Sequence, residues 1–364
     1  VNNDGTLALN RSDSTTWGNL ISGSGSLSVS GSGTLTLTAA NTYTGTTTVT
    51  GSSLVLSGGN NRLASTSGLA FSGTSSLNLG ANDQTVASLA LPTANADSST
   101  TITGGGTLTI NGASPFNFGV SGALGSSVRT ASMDLTGLGG FVFNSATQVF
   151  RVGALSGVST SGSGAPNGSF LASNNTSITA SSFLLADQSG SGTGGTHTFR
   201  LGETTTLNAN SINLGASGRS NATLNFNTGL TAPKITIRGS DGSSAVTSWE
   251  VGRVANFTTG TWTAIADFSA GEIDALVGSL RIGITNPSGQ SGRAGTQNST
   301  FTMGKGSLGV TNLVIGEHSG TGSAGNTYAA NGTFTLNHSD GVVTAQSIRL
   351  AENTGSVTGG TRSV

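Results

Sequence analysis

Short runs in which apolar and small polar residues alternate dominate the hydrophobic pattern of this chain. A period of two places leucine and valine on one face and serine and threonine on the other, as in a half-buried β-strand. The one helix candidate, residues 264–280, is interrupted by Gly271 and Gly278. The pattern therefore predicts an all-β chain of short strands. The clearest runs are SLSVS at 26–30, TLTLT at 34–38, SLVL at 53–56, SLNL at 76–79 and TLTI at 107–110.

A longer repeat marks the C-terminal half, where a hydrophobic-x-hydrophobic-small unit recurs. Its copies are FLLA at 183–186, INLG at 212–215, LRIG at 280–283, LVIG at 313–316 and IRLA at 348–351. A second strand, TFTMG at 300–304 or TFTLN at 333–337, follows two of these copies after the same 21-residue offset. Because repeats in register place equivalent insertions on one side, we expect the intervening glycine-rich loops to share one edge. These loops are 190–195, 289–295 and 320–325.

Strands too short to bury a face alone indicate a solenoid, in which successive coils stack in parallel around one core. Coils of roughly 20 to 33 residues would give about 11 to 18 coils and a rod of about 50 to 85 Å. We expect the apolar strand positions to form one continuous core. They are Leu35, Leu37, Leu54, Leu56, Leu77, Leu79, Leu108, Ile110, Ile212, Leu214, Leu280, Ile282, Leu313, Ile315, Ile348 and Leu350.

The amino-acid composition excludes several functional classes. Charged residues are only 8%, and 14 Lys and Arg nearly balance 15 Asp and Glu, so a basic stripe that tracks phosphates cannot form. The absence of cysteine excludes disulfides, thiolate metal sites and a catalytic thiol. No run approaches the ~18 apolar residues of a membrane helix. The chain starts at Val1 without a signal pattern, and we expect it to be a fragment of a longer chain.

One segment carries a family signature. WGNLISGSGSL at 17–27 leads into GTLTLTAANTYTGTTTVT at 33–50 and LVL at 54–56. This segment resembles the autotransporter-associated β-strand repeat, also called the passenger-associated transport repeat. The resemblance implies a right-handed parallel β-helix in a secreted or surface-displayed bacterial protein. Its hallmark positions here are Gly33, Leu35, Leu37, Asn41, Tyr43, Gly45, Val49, Leu54 and Leu56.

These hallmarks fit a structural corner better than a binding element. The Asn41 amide would bond to backbone at a turn, Tyr43 would pack its ring with a hydrated hydroxyl, and Gly45 would permit a positive φ. The predicted organisation is a solenoid at 1–111, less regular coils or an insertion at 112–180, and a solenoid with repeats of roughly 30 residues at 181–364. Together they form one continuous solenoid.

Parallel β-helices include polysaccharide lyases and hydrolases, so candidate catalytic groups were sought. The closest are Glu272 with Asp274, Glu317 with His318, and His338 with Asp340, which Arg281 or Arg349 could approach through stacking. No dense acidic cluster accompanies them, and isolated surface charges explain them more simply. We therefore predict no catalytic residue and no enzyme.

Metal and cofactor sites are equally unsupported. The three histidines, His197, His318 and His338, are too sparse for a local metal motif, and exposed turns are their simplest positions. GxGxxG occurs at 190–195 and 320–325, but strands follow where a dinucleotide site needs a helix. We predict neither a cofactor nor a metal.

The sequence favours an extracellular structural β-solenoid that forms a surface stalk, fibre or filament component. An adhesin or carbohydrate-binding surface protein is the alternative, and a polysaccharide-cleaving β-helix enzyme is the third hypothesis. Because the end coils of a solenoid expose unpaired backbone groups, we expect self-association, head-to-tail or with further repeats of the same chain. An extracellular glycan or surface ligand is a further expected partner, whereas nucleic acid and direct membrane insertion are not.

Overall fold

The computed structural model describes residues 1–91, 93–94, 96–112, 114–121, 123–125, 127–153, 159–160, 165–187, 194–215, 220–254, 260–286, 294–319, 327–352 and 361–363. All regular structure in these ranges is β-strand, and 26 strands belong to one sheet, which confirms the all-β prediction. The described residues contain no helix long and apolar enough to cross a membrane.

The first ten strands are short, and from β1 to β8 each strand pairs in parallel with the next strand but one. Leu27, for example, pairs in parallel with Leu7 on one side and Thr47 on the other. These strands are β1 (Thr6–Asn10), β2 (Thr15–Trp17), β3 (Ser26–Ser30), β4 (Thr34–Leu37), β5 (Thr47–Thr50), β6 (Ser53–Leu56), β7 (Gly68–Ser72), β8 (Thr74–Asn78), β9 (Gln84–Val86) and β10 (Ser88–Ala90).

The next ten strands include the segment predicted to be least regular, yet most of them continue the same sheet. Pro166 is the first residue of β19, a position that tolerates proline, and it pairs with Arg129. The strands are β11 (Thr93–Ala94), β12 (Ser98–Ile110), β13 (Phe116–Phe118), β14 (Val120–Ser121), β15 (Ala123–Gly125), β16 (Arg129–Asp134), β17 (Leu138–Val152), β18 (Ser159–Thr160), β19 (Pro166–Leu171) and β20 (Asn175–Leu185); β11 with β14 and β15 with β18 form two separate two-stranded sheets.

The last ten strands contain the longest elements. Residues 264–280, the one helix candidate, lie inside β26, in agreement with the all-β prediction: their apolar residues alternate in burial and pair in parallel with β23, β24, β25 and β27. The strands are β21 (Thr196–Leu201), β22 (Thr204–Leu214), β23 (Asn221–Phe226), β24 (Lys234–Arg238), β25 (Val246–Val254), β26 (Gly260–Thr285), β27 (Ala294–His318), β28 (Thr327–Leu336), β29 (Gly341–Leu350) and β30 (Thr361–Ser363).

One column of in-register residues runs through the sheet without a break, and each member pairs in parallel with the next. We call the chain between two successive members a circuit. Circuits take 20 to 22 residues up to Ala90 and 27 to 37 residues after it. The members of this reference column are Ala8, Ser28, Thr48, Ala70, Ala90, Asn117, Arg151, Leu184, Asn213, Glu250, Arg281, Val314 and Arg349.

A single apolar cluster runs along the column, from Ile21 to Ile315, as the sequence predicted. Fourteen of the sixteen predicted core positions are at most 5% exposed. Ile348 and Leu350 are the exceptions, with 59% and 57% of their surface exposed. They pair with Leu313 and Ile315 on one side, and no described residue covers the other, so the core prediction is wrong for the last described circuit.

A second column of in-register residues lies where the chain of each circuit turns. It accounts for the small residue that ends the hydrophobic-x-hydrophobic-small repeat. Each member directly follows a strand position in register and has a left-handed φ between 52° and 128°. Only glycine adopts that conformation without steric cost. We call it the corner column: Gly153, Ala186, Gly215, Gly252, Gly283, Gly316 and Ala351. The glycine-rich loops expected on one edge fall almost wholly outside the described residues.

Candidate functional site

The Asn41 side chain links three successive circuits. It is 3% exposed, its Oδ1 accepts the Ile21 N–H at 2.9 Å, and its Nδ2 donates to the Arg62 carbonyl at 2.9 Å. Gln84 repeats the arrangement, accepting the Leu63 N–H and donating to the Leu63 carbonyl, both at 3.0 Å. Such buried amides satisfy backbone groups that the strands leave open at a bend.

Tyr43 and Gly45 differ from their expected roles. Tyr43 is fully buried and its hydroxyl bonds to the buried Thr47 hydroxyl, so it is not hydrated. Burial raises the pKa of Tyr43 to about 12. Gly45 does not have a positive φ; instead, a Cβ there would overlap the Gly25 carbonyl and the Ser26 hydroxyl. Close approach of successive circuits is what requires this glycine.

The other hallmark residues pack in the same way. A Cβ on Gly33 would overlap the Asp13 carbonyl of the preceding circuit. The remaining members are all at most 3% exposed and belong to the core: Leu35, Leu37, Val49, Leu54 and Leu56.

Glu272 and Asp274 share the outward face of β26, as the alternation predicted, but each is engaged by a cation from β24. Lys234 Nζ lies 2.6 Å from Glu272 Oε1, and the Arg238 guanidinium donates to both Asp274 oxygens at 2.9 Å. These partners precede the carboxylates by 38 and 36 residues, which is one circuit. Neither Arg281 nor Arg349 takes this place.

Arg281 instead joins two carboxylates on the neighbouring circuits. Its guanidinium donates to Glu250 at 2.7 Å and to Glu317 at 2.7 and 2.5 Å. The glutamate side chains are only 10% and 9% exposed. Burial lowers the pKa of Arg281, but the bonds to Glu317 and Glu250 outweigh it and leave the pKa raised. Glu250 is not among the residues predicted from the sequence, where its one-circuit distance from Arg281 is its only signal.

The pKa of one further carboxyl is perturbed by the same region. Burial raises the pKa of Asp187, against the opposite effects of Arg151 and Arg253. Raised carboxyl pKa values mark acid catalysts when they lie in a cleft, but ion-pair networks produce them too. The charged residues around Asp187 form such an ion-pair network, because Arg253 also contacts Glu250 at 3.4 Å.

The histidines were expected in exposed turns, and this is wrong for two of them. His197 is fully buried and His318 is 2% exposed, because both occupy inward positions of strands. The Nδ1 of His318 lies 2.6 Å from the Thr285 hydroxyl. His338 is exposed between β28 and β29, and its Nδ1 accepts the Asp340 N–H at 3.0 Å. Among the described residues, no group of three His, Asp or Glu could hold a metal ion.

Two open depressions mark the described surface. One, of about 230 Å³, lies beside Glu272, Lys305 and His338. The other, of about 240 Å³, overlies the outward face of β12, β17, β20 and β22, where Thr107, Asn175 and Thr204 surround Gly140. The first offers both charge signs, and the second offers uncharged hydroxyl and amide groups beside apolar surface that includes Val142.

Comparison with protein-family models finds no match for this chain. Comparisons with curated proteins and with solved structures find none either. The fold and the side-chain geometry are therefore the basis for a functional proposal.

Proposed function

We propose that this chain is a right-handed parallel β-helix that serves as an extracellular structural element, a stalk, fibre or filament component, without enzymatic activity. The reference column carries the proposal: thirteen residues follow one another in parallel register without interruption. Twelve steps of about 4.8 Å correspond to a stack about 58 Å long.

Side-chain ladders on the outside support a structural role. Hydroxyl and amide groups of successive circuits bond to each other, as in Ser53 with Ser76 at 2.8 Å, Ser182 with Ser211 at 2.8 Å and Asn298 with Asn331 at 2.8 Å. Small neutral side chains stack at strand spacing without the repulsion that like charges would produce. Stacking then continues along the molecule at little electrostatic cost.

The candidate carboxylates support the non-enzymatic part of the proposal. Glu272, Asp274 and Glu317 each bind a cation on a neighbouring circuit, and a general acid or base must be available to a substrate. Their geometry suits circuit-to-circuit bonding.

The test is the shape of the isolated chain. Electron microscopy or small-angle X-ray scattering should give a rod about 58 Å long, and an experimental structure should give right-handed circuits. A near-spherical particle, or a left-handed path, would contradict the proposal. Protease treatment of intact bacterial cells that make the native protein tests surface display: the protein should be removed while cytoplasmic markers survive.

Self-association is part of the proposal, and the last described circuit supports it. Leu336, Ile348 and Leu350 are 46% to 59% exposed, although their in-register neighbours Met303, Leu313 and Ile315 are buried. Light scattering should give a mass above that of one chain. The variants Ile348→Glu and Leu350→Glu should lower this mass, whereas Val128→Glu, at an exposed position away from this circuit, should not.

A glycan-binding adhesin is the second candidate, favoured by the neutral depression around Gly140. Threonine and asparagine groups there suit the hydroxyls of an uncharged sugar chain. A glycan array with the wild type should then give binding that Thr204→Val reduces and Ser132→Ala, on another face, leaves unchanged. Equal loss in both variants, or no binding, would remove this candidate.

A further inference from the structure

His197 interrupts an interior column of small residues. In parallel register, the positions before and after it are glycine, alanine and serine. An imidazole therefore occupies a place where every neighbouring circuit has a side chain no larger than that of serine. The column is Ala131, Gly168, His197, Ala222, Ala264, Ser299 and Gly332.

Two glycines make room for the ring. A Cβ on Gly168 would lie 2.9 Å from His197 Nδ1, and a Cβ on Gly153 would lie 3.1 Å from the ring Cγ and from the Cα of Ala186. Gly153 and Ala186 belong to the corner column, with φ of 128° and 59°. The ring is thus wedged against the corner where two circuits bend.

Neither ring nitrogen has a hydrogen-bond partner among the residues that the structure describes, and the side chain is 0% exposed. Burial alone lowers the pKa of His197 to about 3. The charged groups on the elements around the ring are Arg151, Asp187 and Arg200, and none of them bonds to it. No carboxylate is therefore placed to hold an imidazolium in the closed structure.

We propose that His197 is an acid-sensitive element: it takes up a proton only when the corner at Gly153, Gly168 and Ala186 opens, so β19–β21 open locally in acid. The N-terminal circuits contain no histidine and stay closed. This inference does not depend on the extracellular role proposed above, since it rests only on the packing of one ring.

The sign follows from linkage. A histidine whose folded pKa is depressed stabilises the closed state fully above its unfolded pKa, and this stability is lost as the pH falls below about 6.5 towards 3. Between pH 7 and pH 5 the opening constant should rise about 25-fold. Asp187 acts in the opposite direction, because its raised pKa favours the closed state as the pH falls.

Hydrogen exchange with mass spectrometry at pH 7 and pH 5, corrected for intrinsic exchange rates, tests the proposal on the full chain. Peptides from 166–187 and 194–201 should lose protection about 25-fold, and peptides from 26–56 should not change. His197→Ala, which fits the small-residue column, should abolish the loss. His338→Ala, at an exposed site, should keep it, and Asp187→Asn should enlarge it.

An equal pH response in wild type and His197→Ala would overturn the proposal. If His197→Ala does not fold, the imidazole Cε1–H resonances of the wild type decide instead. A buried ring that does not titrate down to pH 4.5 supports the proposal, and a ring of His197 that titrates near pH 6.5 in the folded protein overturns it.

Discussion

The N-terminal circuits, residues 8–90, and the C-terminal circuits, residues 117–349, use one sheet but different means of holding it together. The first are short, have a mainly aliphatic core with Leu27, Leu54 and Leu77 beside the single rings of Tyr43 and Phe71, and contain Arg62 as the only charged residue between positions 14 and 82. The second are longer, stack phenylalanine rings inside, and pair charges outside.

The difference follows the length of the circuits. The circuits of 20 to 22 residues are lined mainly by leucine and valine, and buried amides such as Asn41 and Gln84 bond to their backbone. The circuits of 27 to 37 residues bring phenylalanine rings into contact inside and pair long charged side chains of neighbouring circuits outside.

The largest expected effect concerns the aromatic interior. Phe150 stacks on Phe116 with centroids 4.3 Å apart and contacts Phe183 at 5.7 Å. Phe150→Ala should destabilise the protein by about 4 kcal/mol, and Leu54→Ala by about 3 kcal/mol, because the ring leaves the larger cavity. Urea unfolding measures both. A smaller loss for Phe150→Ala than for Leu54→Ala would show that the rings do not carry the wider circuits.

The charge network should come next. Arg281→Met leaves Glu250 and Glu317 partly buried without their shared cation, and we expect a loss of about 3 kcal/mol. Arg11→Met, in an exposed N-terminal pair with Asp13, should leave the stability almost unchanged, because solvent screens that pair. Equal effects would show that burial of the pair does not matter.

Asn41 offers the equivalent test for the short circuits. Asn41→Ala leaves the Ile21 N–H and the Arg62 carbonyl without their side-chain partner, so unfolding should become easier by about 2 kcal/mol. Ser76→Ala removes only an outward ladder bond to Ser53 and should cost about 0.5 kcal/mol. The Asn41 interpretation fails if both losses are small.

Alkaline pH should weaken the N-terminal circuits through Tyr43. Its pKa rises from 10 in the unfolded chain to about 12 in the folded protein, so its stabilisation is complete below pH 10 and lost as the pH rises towards 12. At pH 11 the loss should be about 1 kcal/mol. Thermal melts of wild type and Tyr43→Phe between pH 9 and 11 measure it; parallel curves would assign the alkaline effect elsewhere.

The smallest expected changes in stability concern the corner column, where exchanging alanine and glycine should have opposite effects on two neighbouring circuits. Ala186 has a φ of 59° and Gly215 a φ of 64°. Ala186→Gly relieves the left-handed strain and should stabilise by about 0.5 kcal/mol after the entropy of glycine is counted, whereas Gly215→Ala should destabilise by about 1 kcal/mol. Chemical denaturation of both variants checks the sign, and a stabilising Gly215→Ala would contradict it.

Local pattern was enough for much of the fold. Alternation identified the strands at 26–30, 34–38 and 107–110, and the repeat unit placed a small residue where the corner column has a left-handed φ. The interruptions at Gly271 and Gly278 were enough to set aside a helix at 264–280, which lies in β26. Local pattern misjudged Tyr43 and Gly45, whose surroundings come from other circuits.

The strands, the apolar side of each strand and the parallel stacking of repeats could be predicted from the sequence, because they depend on residues two positions apart and on recurring units. The charge pairs, the enclosure of His197 and the exposure of Ile348 and Leu350 required the three-dimensional structure. The charge pairs and the packing around His197 join residues on different circuits, and the exposure of a strand depends on whether a further circuit covers it. Since circuit length varies, the register that brings Arg281 between Glu250 and Glu317 is fixed only when the circuits pack.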